Sequence, residues 1–501
     1  MKAHLLYRDR DFDPAAELAA QSEDLVSDLE LRTLIGAMAG RDEFLADVCL
    51  RVVLSPLTDL DAIRYRQAVL QDFLNQPDLL NDLYRVATQA LSRRKKLWGY
   101  SWSFRRPESI LSGAREALEM YVGQLKALRD IADLCRPAVR SEGVIKLFES
   151  LQEDLSDDYL DSVAGHLKRF RFPDGVLLSA ELGKDNSGDG YVLRVPERDK
   201  PGWKERLGMA PRTVYSFAIA PRDLAGAQAL EDLRARGLNQ VANAAAQSAD
   251  HITDYFTMLR AELGFYVGCV NLAQQLSRRG HPTCTPEVET AQAHALTFQD
   301  LRDTALALQT DRSVIGNDSD ADGRSLIVIT GANSGGKSTF LRSLGLAQLM
   351  AQAGMFVTAS SYRFSPVTGI FTHFLREEDR TMTKGRLEEE LYRMAETAKN
   401  IVAGALVLFN ESFHSTNERE GSEIARQIVG ALRDTGNRVA FVSHQYDFAN
   451  SFLAEEATAV VFLRADMGLD GKPDYRLRAG VPLSTAYGPG LYRKIFAGEQ
   501  A

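Results

Sequence analysis

The run Gly331-Ala332-Asn333-Ser334-Gly335-Gly336-Lys337-Ser338 constrains the fold more than any other part of this 501-residue sequence. It fits the pattern G-x-x-x-x-G-K-[ST] in full. An apolar run, Ser325–Thr330, enters it, and a helical pattern over Gly335–Ala353 leaves it through Thr339-Phe340-Leu341-Arg342. Strand, glycine-rich turn and helix start, in that order, aim backbone N–H groups and the positive end of a helix at one point, where a phosphate binds. The expected ligand is ATP with Mg²⁺, held by residues Gly331 to Thr339. Lys337 is placed on the β- and γ-phosphates, Ser338 gives its hydroxyl to Mg²⁺, and Asn333 lines the loop.

Such a site needs a second apolar strand ending in an acid. Leu406-Val407-Leu408-Phe409-Asn410-Glu411 supplies it with one departure. Asn410 stands where an aspartate is expected on the magnesium side. An amide accepts a hydrogen bond from a metal-bound water but brings no charge. Glu411 is the expected catalytic base, and slow hydrolysis is the expected consequence of Asn410. His444 follows another apolar strand, where it is either a sensor of the γ-phosphate or a satisfied loop histidine. Ala405–Phe409, Arg438–Val442 and Ala459–Leu463 read as short buried strands with helices between them. From about residue 311 the fold is therefore α/β with a largely parallel sheet. The stretch Gly316–Gly323 reads as a linker-like loop.

The first 310 residues have another texture. From Pro14 to Arg169 the pattern is helical, with Leu57, Leu60, Ile63, Val69 and Phe73 at spacings near three and four. Thr58, ahead of Asp59 and Asp61, marks a helix start. Pro14, Pro56, Pro77, Pro107 and Pro137 fall at helix-length intervals. Between Phe170 and Ala220, Val176–Leu178 and Tyr191–Val195 read as a hairpin, with Thr213–Phe217 as a third strand. Pro221–Arg279 is again helical, either one lever-like helix or two broken near Gly237.

Composition narrows the function classes. With 45% hydrophobic and 25% charged residues the chain is neither disordered nor fibrous. Its net charge of -9, from 59 Lys+Arg and 68 Asp+Glu, excludes coating of nucleic acid by bulk charge. One local run, Arg93–Arg106, mixes cations with Trp98, Tyr100, Trp102 and Phe104. It is either a salt-sensitive nucleic-acid contact or a solvated helix end whose aromatics anchor a loop. Arg198–Arg206 is a weaker second basic run, and Glu377-Glu378-Asp379 reads as a solvated acidic loop. The four cysteines are far apart and read as free thiols. The N-terminus has no apolar core, and the most apolar segment, Ile401–Phe409, is far short of the roughly 20 residues that span a bilayer. A soluble cytoplasmic protein without a membrane partner is expected.

These motifs together resemble the MutS family of ATPases. Thr330–Arg342 is similar to that family's T-G-P-N-M-G-G-K-S-T with a following arginine, and Leu406–Glu411 to its L-V-L-M-D-E. Thr416 and Gly421 match the segment after the glutamate. Ser443-His444 resembles its T-H, and Thr485–Gly488 its S-Y-G. Leu54–Asp59, Ile63, Arg66 and Val69–Phe73 resemble the start of its core domain, and Ala261-Glu262-Leu263 its lever. The resemblance implies a mixed fold: an all-α helical core and lever over 1–310, with a small hairpin or reduced clamp at about 170–220, and a P-loop ATPase domain over 311–501. It implies a homodimer through the ATPase domains that opens and closes on DNA, here without a mismatch-reading domain, connector or Smr nuclease domain. Gly385–Glu390 stands where the family carries G-x-S-T-F, whose serine reaches the partner's nucleotide. No hydroxyl stands there, which leaves Thr381 or Thr383 for that contact. Three functions stay open: an ATPase responding to mismatched or branched DNA, a nucleotide-gated interaction protein with little turnover, and an ATPase acting on structured RNA or ribosomes.

Overall fold

Acidic caps and prolines set where several of the N-terminal helices begin. The computed structural model describes all residues except 20, 99–105, 174, 185–187, 195–215, 377–384, 456–457, 468–472 and 484–501. Helices α1 (Ser22–Asp28), α2 (Leu31–Ala39), α3 (Glu43–Val53), α4 (Leu60–Asn75), α5 (Pro77–Trp98), α6 (Pro107–Cys135), α7 (Glu142–Asp154) and α8 (Asp157–Arg169) follow one another. Asp42 caps α3 by accepting from the N–H groups of Phe44 and Leu45 at 2.9 and 3.2 Å. The cap of α4 is Asp59, one residue beyond Thr58, accepting from Ala62 N–H at 2.7 Å. Pro77 and Pro107 open α5 and α6, where no backbone donor is needed.

Strands β1 (Leu177–Leu182) and β2 (Gly188–Arg194) pair antiparallel, with Leu178 opposite Leu193. Of the expected third strand, Thr213–Tyr215 lie outside the described residues and Ser216–Phe217 are not in a strand. The lever-like stretch is one helix, α9 (Leu224–Arg278), of 55 residues. It passes through Gly237 unbroken. A Cβ there would lie 2.3 Å from Leu178 Cδ2, so the glycine admits the hairpin's side chain rather than ending the helix.

Compactness divides the chain differently from the expected 1–310 and 311–501 segments. One unit comprises Met1–Ala3, Asp82–Ala138 and Lys146–Arg260; the other comprises His4–Asn81, Val139–Ile145 and Ala261–Ala501. The first unit is helices with the β1–β2 hairpin. Inside it Tyr121 stacks on Phe256 with ring centroids 5.5 Å apart, and its hydroxyl lies 2.8 Å from Thr253 Oγ1. The second unit holds the N-terminal helices because buried polar contacts tie them to the sheet layer. Gln352 donates to Leu57 O at 2.8 Å, and Arg66 donates to Ala353 O and Leu6 O, each at 3.2 Å.

The second unit continues with β3 (Glu287–Val288), β4 (Leu296–Leu301), α10 (Thr304–Gln309), β5 (Asn317–Asp320), β6 (Leu326–Gly331), α11 (Lys337–Gln352), β7 (Ser361–Phe364), β8 (Ile370–Phe374), α12 (Arg386–Ala398), β9 (Leu406–Asn410), α13 (Glu418–Asp434), β10 (Arg438–Val442), α14 (Tyr446–Asn450), β11 (Val460–Met467) and β12 (Pro473–Ala479). A six-stranded sheet runs β12-β11-β6-β10-β9-β8. All its pairings are parallel except β11 with β12. A second sheet runs β3-β7-β4-β5. The linker-like loop at Gly316–Gly323 is thus corrected: residues Asn317–Asp320 are an edge strand paired antiparallel to β4. Its acids are used, since Asp322 beyond it accepts from Leu296 N–H at 2.7 Å and from the Thr297 hydroxyl at 2.9 Å.

Side-chain alternation splits the larger sheet into two buried faces. On one, Leu408 packs toward α11; a Cβ on Gly345 would lie 2.7 Å from it and 2.8 Å from Leu29. On the other, Val407, Phe409, Val439 and Phe441 join Phe413, Val429 and Phe448 in one core. Phe441 and Phe448 rings lie 4.4 Å apart. The parallel register puts Asn410 opposite Val442, and Val442 opposite Ile329. The carboxyl ends of β6, β9 and β10 therefore share one edge, the edge where open α/β sheets bind ligands.

Candidate functional site

The glycine-rich loop folds as the sequence requires. Gly331, Ser334 and Gly336 have φ of 108°, 59° and 88°. At Gly331 a Cβ would stand 2.2 Å from Ala465 O, and the neighbouring Ala332 N–H donates to that same oxygen at 2.9 Å. Strand β11 thereby pins the loop's base. Helix α11 starts at Lys337, so its first N–H groups open onto the loop.

Asn333, Ser334, Gly335, Gly336, Lys337, Ser338 and Thr339 line a cavity of about 710 Å³ together with Glu411 and His444. Gly331 and Ala332 sit behind it as the loop's anchor, and Asn410 reaches the site through Ser338. The Lys337 ammonium is buried and donates to Gly331 O at 3.1 Å and Ala332 O at 2.8 Å. Burial lowers its pKa to about 8, against the opposing pull of Glu411. Its partners are neutral carbonyls, so the charge remains available to an anion. Ser338 Oγ donates to Asn410 Oδ1 at 2.9 Å.

Glu411 has a left-handed backbone, with φ 55°. Its Oε1 lies 2.8 Å from His444 Nε2. This hydrogen bond, outweighing burial, holds the Glu411 carboxyl below the usual range, with His414 and Lys337 adding to the effect. Burial lowers the pKa of His414, whose ring lies 6.2 Å from that of His444. Of the expected site residues, Lys337, Ser338, Asn410, Glu411 and His444 thus meet at one sheet edge.

A family profile described as MutS2 N-terminal domain matches residues 58–279, and one described as MutS domain V matches residues 327–472. Together they cover more than half of the chain. This chain belongs to the MutS family. A DNA mismatch repair protein MutS of Desulforamulus reducens is 31% identical over 176 residues, which is 32% of this chain and 20% of that protein. An Endonuclease MutS2 of Lacticaseibacillus casei is 32% identical over 187 residues, 36% of this chain and 23% of that protein. The matched part therefore spans about a fifth of these relatives' length.

Against the MutS motifs, several details escaped the sequence. The cavity is also lined by Leu306, Thr310, residues 312–315 and Tyr475. No periodicity or motif marks these positions; they arrive through α10, the segment that links it to β5, and β12. The basic run is partly spent in the fold: Arg94 is buried and pairs with Asp250 at 2.8 Å, and Arg106 pairs with Glu231 at 2.6 Å. Arg93 and Lys95 are exposed. Tyr100, Trp102 and Phe104 lie outside the described residues, as do Arg198–Arg206, Glu377–Asp379, Thr381, Thr383 and Thr485–Gly488. Among the described residues no helix is long and apolar enough to cross a membrane.

Proposed function

We propose that this chain binds ATP with Mg²⁺ in the cavity over the Gly331–Gly336 loop, hydrolyses it, and couples nucleotide state to the closing of a dimer on mismatched or branched DNA. The observation that carries the first part is a desolvated ammonium, Lys337, facing the same cavity as the Glu411–His444 pair. A cation held only by carbonyls at a helix N-terminus fits a polyphosphate. Ser338 Oγ and Asn410 Oδ1 offer Mg²⁺ the oxygen donors it prefers, with a water-mediated contact to the amide. Mg²⁺, when bound with ATP, supplies charge neutralisation across the β- and γ-phosphate oxygens.

The chain's own residues do the rest. Backbone N–H groups of Asn333, Ser334 and Gly336 to Thr339 orient the phosphates, that of Gly335 being donated to Ala332 O within the loop, and Lys337 balances their charge. Glu411, ionised at neutral pH, accepts the proton of the attacking water. His444 fixes Oε1 of Glu411, which leaves Oε2 as the acceptor for that water, and lines the same cavity, where it would register the γ-phosphate. Because Asn410 adds no charge, turnover is slow. The dimer and DNA contacts are inferred from MutS-family membership and from relatives named for mismatch repair and for an endonuclease. Arg93 and Lys95 are two exposed cations of the Arg93–Arg106 run that this reading assigns to DNA; Arg106, also exposed, is paired with Glu231.

The neutral Ser338–Asn410 pair favours one second reading, a nucleotide-gated interaction protein with little turnover. Steady-state ATP turnover, alone and with homoduplex, mismatched and branched DNA or ribosomes, separates the readings. Stimulation by one DNA form supports the first. Tight ATP binding with flat turnover on every DNA supports the second. Stimulation by ribosomes alone moves the substrate to RNA.

A further inference from the structure

Glu390 lies in the second turn of α12, in the run Gly385–Glu390, and is buried. Its carboxylate is spent on a single loop. Oε2 accepts the Phe413 N–H and Oε1 accepts the Ser415 hydroxyl. That loop directly follows Glu411 and is strained. Glu411 and Phe413 both take left-handed backbones, at φ 55° and 63°, which non-glycine residues adopt only when their surroundings impose it. Between them Ser412 is gripped from the same side. Its Oγ donates to His373 O at 2.6 Å and lies 2.8 Å from His373 Nδ1, while His373 Nε2 lies 3.1 Å from Glu390 O. Across the loop, Gly421 leaves no room for withdrawal, since a Cβ there would stand 2.3 Å from Phe413 O.

We propose that Glu390 is a positioning residue for Glu411: it holds the Glu411–Ser412–Phe413 backbone in the conformation that sets the Glu411 carboxylate against His444 and toward the cavity. The proposal rests on the reading of Glu411 as the base for ATP hydrolysis. Physically, the two strained residues would relax toward extended backbone if the Phe413 N–H lost its acceptor, and Glu411 would turn with them. A displacement of about an ångström in a reacting group can lower a rate on the order of 100-fold. Neither Glu390 nor its hydrogen-bond partners Phe413 and Ser415 line the cavity, so nucleotide affinity has no reason to change with it.

The test combines kinetics with a signal independent of turnover, in the full chain. For Glu390→Ala we expect kcat to fall about 10- to 100-fold, with ATP affinity within twofold of wild type. Glu390→Gln keeps one acceptor oxygen and is expected to fall between the two. In a Glu411→Ala background, Glu390→Ala is expected to add nothing further, because it acts through Glu411. The eight histidines make His444 assignable by NMR through His444→Asn. Its ring resonances should move in Glu390→Ala, and partly in Glu390→Gln, in the direction they take in Glu411→Ala. A His444 signal left at its wild-type position in a folded Glu390→Ala protein overturns the proposal, as do kinetic losses that add to those of Glu411→Ala. If wild type does not hydrolyse ATP, or Glu411→Ala leaves turnover intact, the reading of the site fails, and the His444 signal still decides whether Glu390 positions Glu411.

Discussion

Lys337 and Asn410 carry opposite electrostatic consequences at the residue scale. Burial lowers the Lys337 pKa to about 8, so the ammonium sits near its titration point in the free protein. Phosphate binding favours the charged form. ATP affinity is therefore expected to be flat below pH 8 and to weaken above it, by up to about tenfold per pH unit. Titration calorimetry from pH 6.5 to 9.5 reads this directly, and an affinity that rises with pH contradicts it. Asn410 Oδ1 already meets Ser338 Oγ at 2.9 Å, so an acid at this position has the right reach. Asn410→Asp is expected to lower the Mg²⁺ concentration for half-maximal turnover about tenfold, the size of one charge-assisted contact of roughly 1.5 kcal/mol. The measurement is turnover against Mg²⁺, and an unchanged midpoint would show that position 410 does not face the metal.

At the scale of elements, Glu262 ties α9 to the segment before α1. Its fully buried carboxylate accepts from Leu5, Leu6 and Phe12 N–H groups at 2.6, 3.2 and 3.1 Å. Glu262→Ala strands three buried donors at about 1–3 kcal/mol each before relaxation. A destabilisation of roughly 3–5 kcal/mol is expected by urea unfolding, and a loss under about 1 kcal/mol would show that water replaces the carboxylate. This latch was not legible in sequence, because it joins residues 250 or more apart through backbone donors. What was legible had a local physical signature. β6, β9, β10 and β11 are apolar runs because both faces of a central parallel sheet are buried. The caps and prolines of α3 to α6 satisfy or remove orphan N–H groups within a few residues. The second sheet escaped because β5 reads Asn-Asp-Ser-Asp, its strand character coming from pairing with β4 rather than from propensity. The hydrogen bond between Glu411 and His444 escaped for a related reason: each sat at the end of its own strand, but their meeting depends on the parallel register of β9 and β10.

For the whole molecule, a net charge of -9 would set the terms of the proposed contact with DNA. A contact through Arg93 and Lys95 neutralises only about two phosphates, so its salt slope should be shallow, at the usual value of about -0.9 per phosphate. Arg93→Ala with Lys95→Ala is expected to weaken DNA binding evenly across sequences and to reduce that slope by about two. Arg94→Ala should instead lower stability, because Arg94 is buried against Asp250. Anisotropy at several salt concentrations distinguishes the two variants, and a slope that does not move would place DNA elsewhere. All of this depends on the cavity over the glycine-rich loop being the nucleotide site. Equilibrium binding of ATP with Mg²⁺ to wild type and to Lys337→Ala tests it most directly. The account predicts one ATP per chain for wild type and no measurable binding in a folded Lys337→Ala protein; equal binding by the two would contradict it.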